Sequence, residues 1–255
     1  AGEIVGKIHR EVFYQVKDSV FATHIDRART RLVCVFPADF KGSITTLNAD
    51  ETLLAGSWAA PAKDSIYKLY PAKGEYFDRI FDAKIPHTLF TINLKTGALE
   101  KIHSENTWLG HIQFSVTDPN ILMFCHEGPW HKVDRIWLMR TNDGAAPKKI
   151  HARTMAMEIW GHEFWSADGK IIWYDLQTPR GEDFWLGFGR QAFGVLHAGR
   201  RALPAQVIGH RLGLTDEARQ IAIARRLARL ALQRLKLRLQ LADHVVEPAQ
   251  IGLRR

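Results

Sequence analysis

Between residues 1 and 189 the apolar positions arrive in short runs of four to eight, rich in Val, Ile, Phe, Trp and Thr. Each run is cut by a turn signal such as Lys95-Thr96-Gly97, Asn142-Asp143-Gly144 or Ala167-Asp168-Gly169. Runs of that length, with alternation as in Leu89-Phe-Thr-Ile-Asn-Leu94, predict antiparallel strands. Aligning the turns exposes a repeat: Thr45-Thr-Leu-Asn-Ala-Asp50-Glu-Thr-Leu-Leu54, Ile112-Gln-Phe-Ser-Val-Thr-Asp118-Pro-Asn-Ile-Leu122 and Glu163-Phe-Trp-Ser-Ala-Asp168-Gly-Lys-Ile-Ile172. A strand, a small polar residue, an Asp turn and a second strand recur in each. Hairpins of a second type lie between them, Leu89 to Ile102 folding about Gly97 and Ile136 to Ile150 folding about Gly144, with Val20 to Val35 as a looser version.

Two alternating hairpins make a four-stranded sheet, and a repeat of roughly 40–50 residues built that way is the mark of a β-propeller blade. The predicted fold is therefore all-β, an incomplete propeller of about four blades. Asp118 and Asp168 are 50 residues apart, whereas Asp50 and Asp118 are 68 apart, so the first interval holds an insertion. It falls at Ala59 to His87, where Lys63, Lys68, Lys73 and Lys84 accompany Tyr67, Tyr70, Tyr76 and Phe77, and it has room for one short helix at Glu75 to Asp82. Two readings fit it: a solvated surface loop, or a lid that brings cationic and aromatic groups over a central pocket.

After Gly189 the strand pattern is expected to stop. The remaining residues are Arg, Ala, Leu and Gln rich, and Thr215 to His244 has the composition of an amphipathic helix, with Asp216 and Glu217 in its first turn. This divides the chain into blades over 1–189 and a basic helical tail over 190–255. Charge divides the same way: the net +8 places 13 Lys+Arg against 4 Asp+Glu in 190–255, leaving 22 against 23 before it. All but one of the 26 aromatics also precede the tail. A mid-hairpin change so abrupt fits a sequence that did not evolve with this fold better than a nucleic-acid or membrane surface, and neither partner is expected. The two cysteines, Cys34 and Cys125, lie inside apolar runs and read as buried thiols.

Nine of the twelve histidines fall before residue 190, densest in Gly110-His111, in Cys125-His126-Glu127-Gly-Pro-Trp-His131-Lys132-Val-Asp134-Arg135-Ile-Trp137 and in Gly161-His162-Glu163-Phe-Trp165. Gly128 and Pro129 end a strand, which puts His126, Glu127, His131, Lys132 and Asp134 in a strand-end loop, where propellers build sites. His111 and His162 are expected just before the first strand of consecutive repeats, pointing toward one axis. Imidazole suits proton abstraction and Arg offers a two-pronged fork for a carboxylate; the spacings match no clean zinc motif.

The run from His111 to Trp137, followed by Gly-His162-Glu-Phe-Trp-Ser-Ala-Asp-Gly169, resembles the oligogalacturonate lyase family over about residues 42–185. The resemblance implies a seven-bladed β-propeller enzyme that cleaves pectin-derived oligogalacturonides, such as digalacturonate and trigalacturonate, by β-elimination in the cytoplasm. It implies His162 as the base and Arg135 as the cation beside it, with His111, His126, Glu127, His131, Lys132 and Arg180 as substrate-binding residues. It also implies Mn2+, held in the family by a His of the following blade and a Gln-x-x-His-x-His run. Neither is matched here, since Gln206 and His210 have the wrong spacing, so no metal ligand is carried over and little or no turnover is expected of the chain as it stands. A non-catalytic TolB-like or WD40-like propeller, serving as an interaction or sugar-binding module, is the alternative that the Asp-turn repeat alone leaves open.

Overall fold

A computed structural model describes residues 4–178 and the backbone of 184–190 and 198–199, within the first of two units of the chain, Ala1–Pro204. The helix expected over 215–244 and the substrate-binding Arg180 lie outside the described residues. The described residues form four antiparallel sheets of four strands each. Blade one is β1 (Ile4–Val5), β2 (Glu11–Val16), β3 (Ser19–His24) and β4 (Thr30–Val35). Blade two is β5 (Ser43–Leu47), β6 (Leu53–Ala59), β7 (His87–Asn93) and β8 (Leu99–Glu105), with α1 (Ala62–Leu69) and α2 (Lys73–Asp82) between its second and third strands. Blade three is β9 (Leu109–Phe114), β10 (Ile121–His126), β11 (Ile136–Arg140) and β12 (Lys148–Lys149). Blade four is β13 (Ile159–Trp165), β14 (Ile171–Gln177), β15 (Phe184–Arg190) and β16 (Ala198–Gly199).

The strand order is sequential in every sheet, as the hairpin pattern predicts, and the hairpins about Gly97 and Gly144 are present as β7–β8 and β11–β12. One expectation is revised at the end of blade four. Strand pairing continues past Gly189, with Phe188 opposite Gly199 and Gly189 opposite Ala198. A two-residue edge strand needs only backbone donors and acceptors, so it leaves no apolar pattern to read. The insertion also differs: it holds two helices where one was expected. Lys63, Ile66, Tyr67 and Tyr70 follow the i, i+3, i+4, i+7 spacing of a helix face, a signal that the short length of α1 made easy to pass over.

Burial comes from blades stacking face to face. Phe13, Phe36, Phe40, Ile44 and Phe90 fill the space between blades one and two; Leu89, Leu109, Phe114 and Phe124 that between two and three; Met123, Ile136, Trp160, Trp165 and Tyr174 that between three and four. The first strands of successive blades lie side by side, β5 against β1 and β9 against β5, which makes them the inner edge of the stack.

The repeated small polar residue closes each Asp turn. Asn48 Oδ1 accepts from the backbone N–H of Thr52 and Leu53, both at 2.9 Å, and its amide donates to Pro119 O of the next blade at 3.2 Å. Ser115 Oγ accepts from Thr117 and Asp118, and Ser166 Oγ accepts from Ile171 N at 3.0 Å while donating to Asp168 Oδ1 at 2.6 Å. The same turns join blades: Gly169, at φ 69°, sits where a Cβ would lie 2.1 Å from Thr117 Oγ1 of blade three, whereas Gly144, at φ 65°, faces open space. Gly144→Ala therefore carries only the left-handed backbone cost, about 1 kcal/mol, and Gly169→Ala is expected to lose at least another 1 kcal/mol or so from the collision. Denaturant midpoints measure the difference; equal losses would mean that the Thr117 contact does not constrain the turn.

Candidate active site

The first strands of blades three and four carry the same distortion. On β9, Gly110 pairs with Cys125 and Gln113 with Met123, so His111 and Ile112 together oppose Phe124; on β13, Gly161 pairs with Asp175 and Phe164 with Trp173, so His162 and Glu163 oppose Tyr174. Each is a β-bulge, and its histidine takes the left-handed conformation, φ 47° at His111 and 52° at His162. Among the described residues these are the only strand-interior side chains at positive φ, a conformation that non-glycine residues hold only where the surroundings impose it. This corrects the expectation that both histidines precede their strands: they lie inside them, and the bulge turns them.

The preceding glycines leave room for charge. A Cβ at Gly110 would lie 3.0 Å from the Glu127 side chain, and one at Gly161 would lie 3.8 Å from Arg135 Nε. Through these gaps Arg135 bridges two blades. Its Nη1 donates to Glu127 Oε2 at 2.8 Å, its Nε to Glu163 Oε2 at 3.0 Å and its Nη2 to Glu163 Oε1 at 3.4 Å. The Glu163 side chain is fully enclosed and that of Arg135 is 5% exposed. Burial opposes the Glu163 charge, yet His111 and Arg135 outweigh it and hold the carboxyl far below the usual carboxylate range. Cys125, buried as expected, lies against Glu163; burial above all, and then that carboxylate, keep it a thiol.

One guanidinium against two carboxylates leaves a negative excess, and His111 offsets it. Its Nδ1 is 3.1 Å from Glu163 Oε1 and its Nε2 is 3.3 Å from Glu127 Oε1. Its pKa is raised, first by the bond to Glu163 and then by the field of Glu127. His162, on the other bulge, faces outward with its side chain 78% exposed, and its Nδ1 lies 2.6 Å from Asp175 Oδ2. With Nδ1–H donated to Asp175, the lone pair of Nε2 is available to accept a proton.

Of the residues singled out in the sequence, His111, Glu127 and Arg135 come together, and His162 lies next to Glu163 of the same group. His126 turns elsewhere: its Nε2 is 3.0 Å from Glu105 Oε2 and its ring stacks on Trp137, while Glu105 also takes His103 Nε2 at 2.5 Å. The two histidines hold Glu105 down at about 2. His131 is half-buried and Lys132 exposed in the loop after β10, and among the described residues neither is hydrogen-bonded by its side chain to the Arg135 group. Four participants carried weaker signals. Glu163 stood in the quoted motif without a role, Asp175 is a carboxylate within the strand Ile171–Gln177, and Gly110 and Gly161 precede the two histidines.

The insertion packs over this end of the blades. Phe77 meets Trp108 edge-on at 5.4 Å, and Phe81 fills the place where a Cβ of Gly128 would lie, 2.4 Å from its ring. The donor set does not fit the manganese that the resemblance implies. Glu127 and Glu163 are occupied by Arg135 and His111, and among the described residues no group of three or more His, Cys, Asp and Glu is arranged to hold a metal.

His111 links the group to pH. Because its folded pKa is raised above the ordinary 6.5, its contribution to stability is complete below that value and is lost as pH rises through the folded pKa. The unfolding free energy is expected to decline across this window, and His111→Asn to flatten the decline. An unchanged slope in the variant, followed by denaturant unfolding at several pH values, would contradict the assignment.

The profile of the oligogalacturonate lyase family matches residues 8–181, a span containing every residue of this cluster. The oligogalacturonide lyase of Pectobacterium atrosepticum and the oligogalacturonate lyase of Dickeya dadantii are each 40% identical to the chain over 87 residues, covering 34% of this chain and 22% of theirs. A solved oligogalacturonate lyase in complex with manganese superposes with a TM-score of 0.66 at 26% identity, and that of Vibrio parahaemolyticus with 0.65 at 26%; each match covers 74% of this chain and 50% of the other. The chain thus spans about half the length of these solved relatives. On the extent of the family match, the chain belongs to the oligogalacturonate lyase family.

Proposed function

We propose that this chain carries the proton-abstracting part of an oligogalacturonate lyase site, acting on short substrates such as digalacturonate and trigalacturonate, with His162 as the base. The observation that carries the reading is the β13 bulge: it sends His162 outward, paired with Asp175 at 2.6 Å, and Glu163 inward onto Arg135. In β-elimination Nε2 of His162 takes the C5 proton. The C5–H electrons form the C4–C5 double bond, and the glycosidic oxygen leaves C4 with its electron pair and gains a proton. Asp175 accepts the Nδ1–H bond throughout and stabilises the imidazolium that forms.

Arg135 takes a different emphasis here from the one the resemblance implies. Three of its N–H bonds are directed at carboxylates and its side chain is 5% exposed, so it acts as a positioning residue that fixes the bulge of His162 and adds positive potential beneath it. Manganese in this family would supply charge neutralisation for the substrate carboxylate; the described residues do not fit the ion, and no step is assigned to it.

The test is formation of the 4,5-unsaturated product from digalacturonate or trigalacturonate at high enzyme concentration, followed by absorbance. Since general-base catalysis typically contributes about 10²–10⁴-fold, His162→Ala should lower the rate by that range while the ligand still binds. Arg135→Lys keeps the charge but cannot span Glu127 and Glu163 together, so it should both slow turnover and destabilise the fold by about 1–3 kcal/mol. Undiminished activity in His162→Ala would overturn the base. A product lacking the 4,5-unsaturated bond would overturn the lyase reading altogether.

A further inference from the structure

Arg135 and His111, the two cationic groups at the centre of the strand-end cluster, are both committed to Glu127 and Glu163. The helical insertion of blade two holds a cation in a different state. Lys63, on α1, places Nζ 3.2 Å from Nε2 of His87 and 4.7 Å from the centre of the Trp108 ring.

His87 is a neutral partner. Its Nδ1 donates to Ile85 O at 2.8 Å, which leaves Nε2 as the acceptor for the lysine, and burial lowers its pKa to about 4. One ammonium N–H is therefore directed at an uncharged ring, and among the described residues no carboxylate lies within ion-pair distance of Lys63. Its pKa falls to about 8, because burial disfavours the charge and the more distant Glu127 and Asp64 compensate only in part. A half-buried ammonium without an anion, stacked on an indole face, is stabilised by any carboxylate brought against it. The aromatic anchors of α2 hold it there: Phe77 on Trp108, Phe81 against Gly128, and Tyr76 on Tyr67, one turn along α1 from Lys63.

We propose that Lys63, presented by this insertion beside Trp108, is the cation that receives a carboxylate of the substrate, which makes the insertion a specificity element selecting uronates over neutral sugars. The inference rests on the reading of the site as one for oligogalacturonides, and its test separates the two. Binding of digalacturonate and of its uncharged dimethyl ester is measured by calorimetry near neutral pH for the unaltered chain, Lys63→Met, Lys63→Arg and Lys68→Met, Lys68 being an exposed position on the same helix. The unaltered chain should prefer the acid, and Lys63→Met should weaken acid binding by about tenfold or more, the scale of one charge-assisted hydrogen bond, while leaving ester binding within about twofold. Lys63→Arg should keep most of the preference and Lys68→Met all of it. A Lys63→Met chain that still prefers the acid overturns the role of Lys63 and leaves the oligogalacturonide reading standing. An unaltered chain that binds neither ligand, or binds the ester better, overturns that reading and this inference with it. Should Lys63→Met lose ester binding as well, Lys63→Arg decides: retained preference supports the assignment and lost preference overturns it.

Discussion

The site depends on a single buried arginine. Arg135 ends the loop between β10 and β11 and lies between Glu127 of its own blade and Glu163 of the next, with almost no solvent to screen any of the three. Charges removed from water are held in place by each other: taking away one member exposes the others to a desolvation penalty of about 3–5 kcal/mol, so the arrangement has few alternatives. Because Glu163 belongs to the bulge that carries His162, an ion pair between blades also sets the direction of the base.

The bulges extend this from one blade to a repeat. Blades three and four use the same device, a glycine and then a left-handed histidine on the inner strand, for opposite purposes. His111 turns back onto the two carboxylates and moderates their excess charge; His162 turns away, is oriented by Asp175, and stays open to solvent. Neighbouring groups, and not the strand position itself, separate a charge-balancing imidazole from one suited to accept a proton.

The architecture was largely legible in the sequence because its punctuation is local. Asn48, Ser115 and Ser166 are fixed by bonds to backbone groups a few residues away, so the turn motif and the hairpin it closes appear together in the chain. Helix α1 was missed because eight residues give barely two turns of periodicity, and its face is defined by what it meets, Trp108 and His87. The site was legible as a set of residue types and less so as a set of partners. That His111 and Glu127 would meet Arg135 follows from the bulge and from the gaps at Gly110 and Gly161, which alternation along a strand does not reveal. Alternation does give the reason that His126, next to Glu127, points to the other side and finds Glu105.

The claim that the rest depends on is the coupling of Arg135 to Glu163 across the blade boundary. A double-mutant cycle in denaturant unfolding, using Arg135→Met, Glu163→Leu and the pair, measures it directly. Each single replacement should cost about 3–5 kcal/mol by leaving unpaired charge inside the protein, and the double replacement should cost clearly less than the two together. Additive losses would show that the two side chains stabilise the fold independently and that no ion pair joins blade three to the strand of His162.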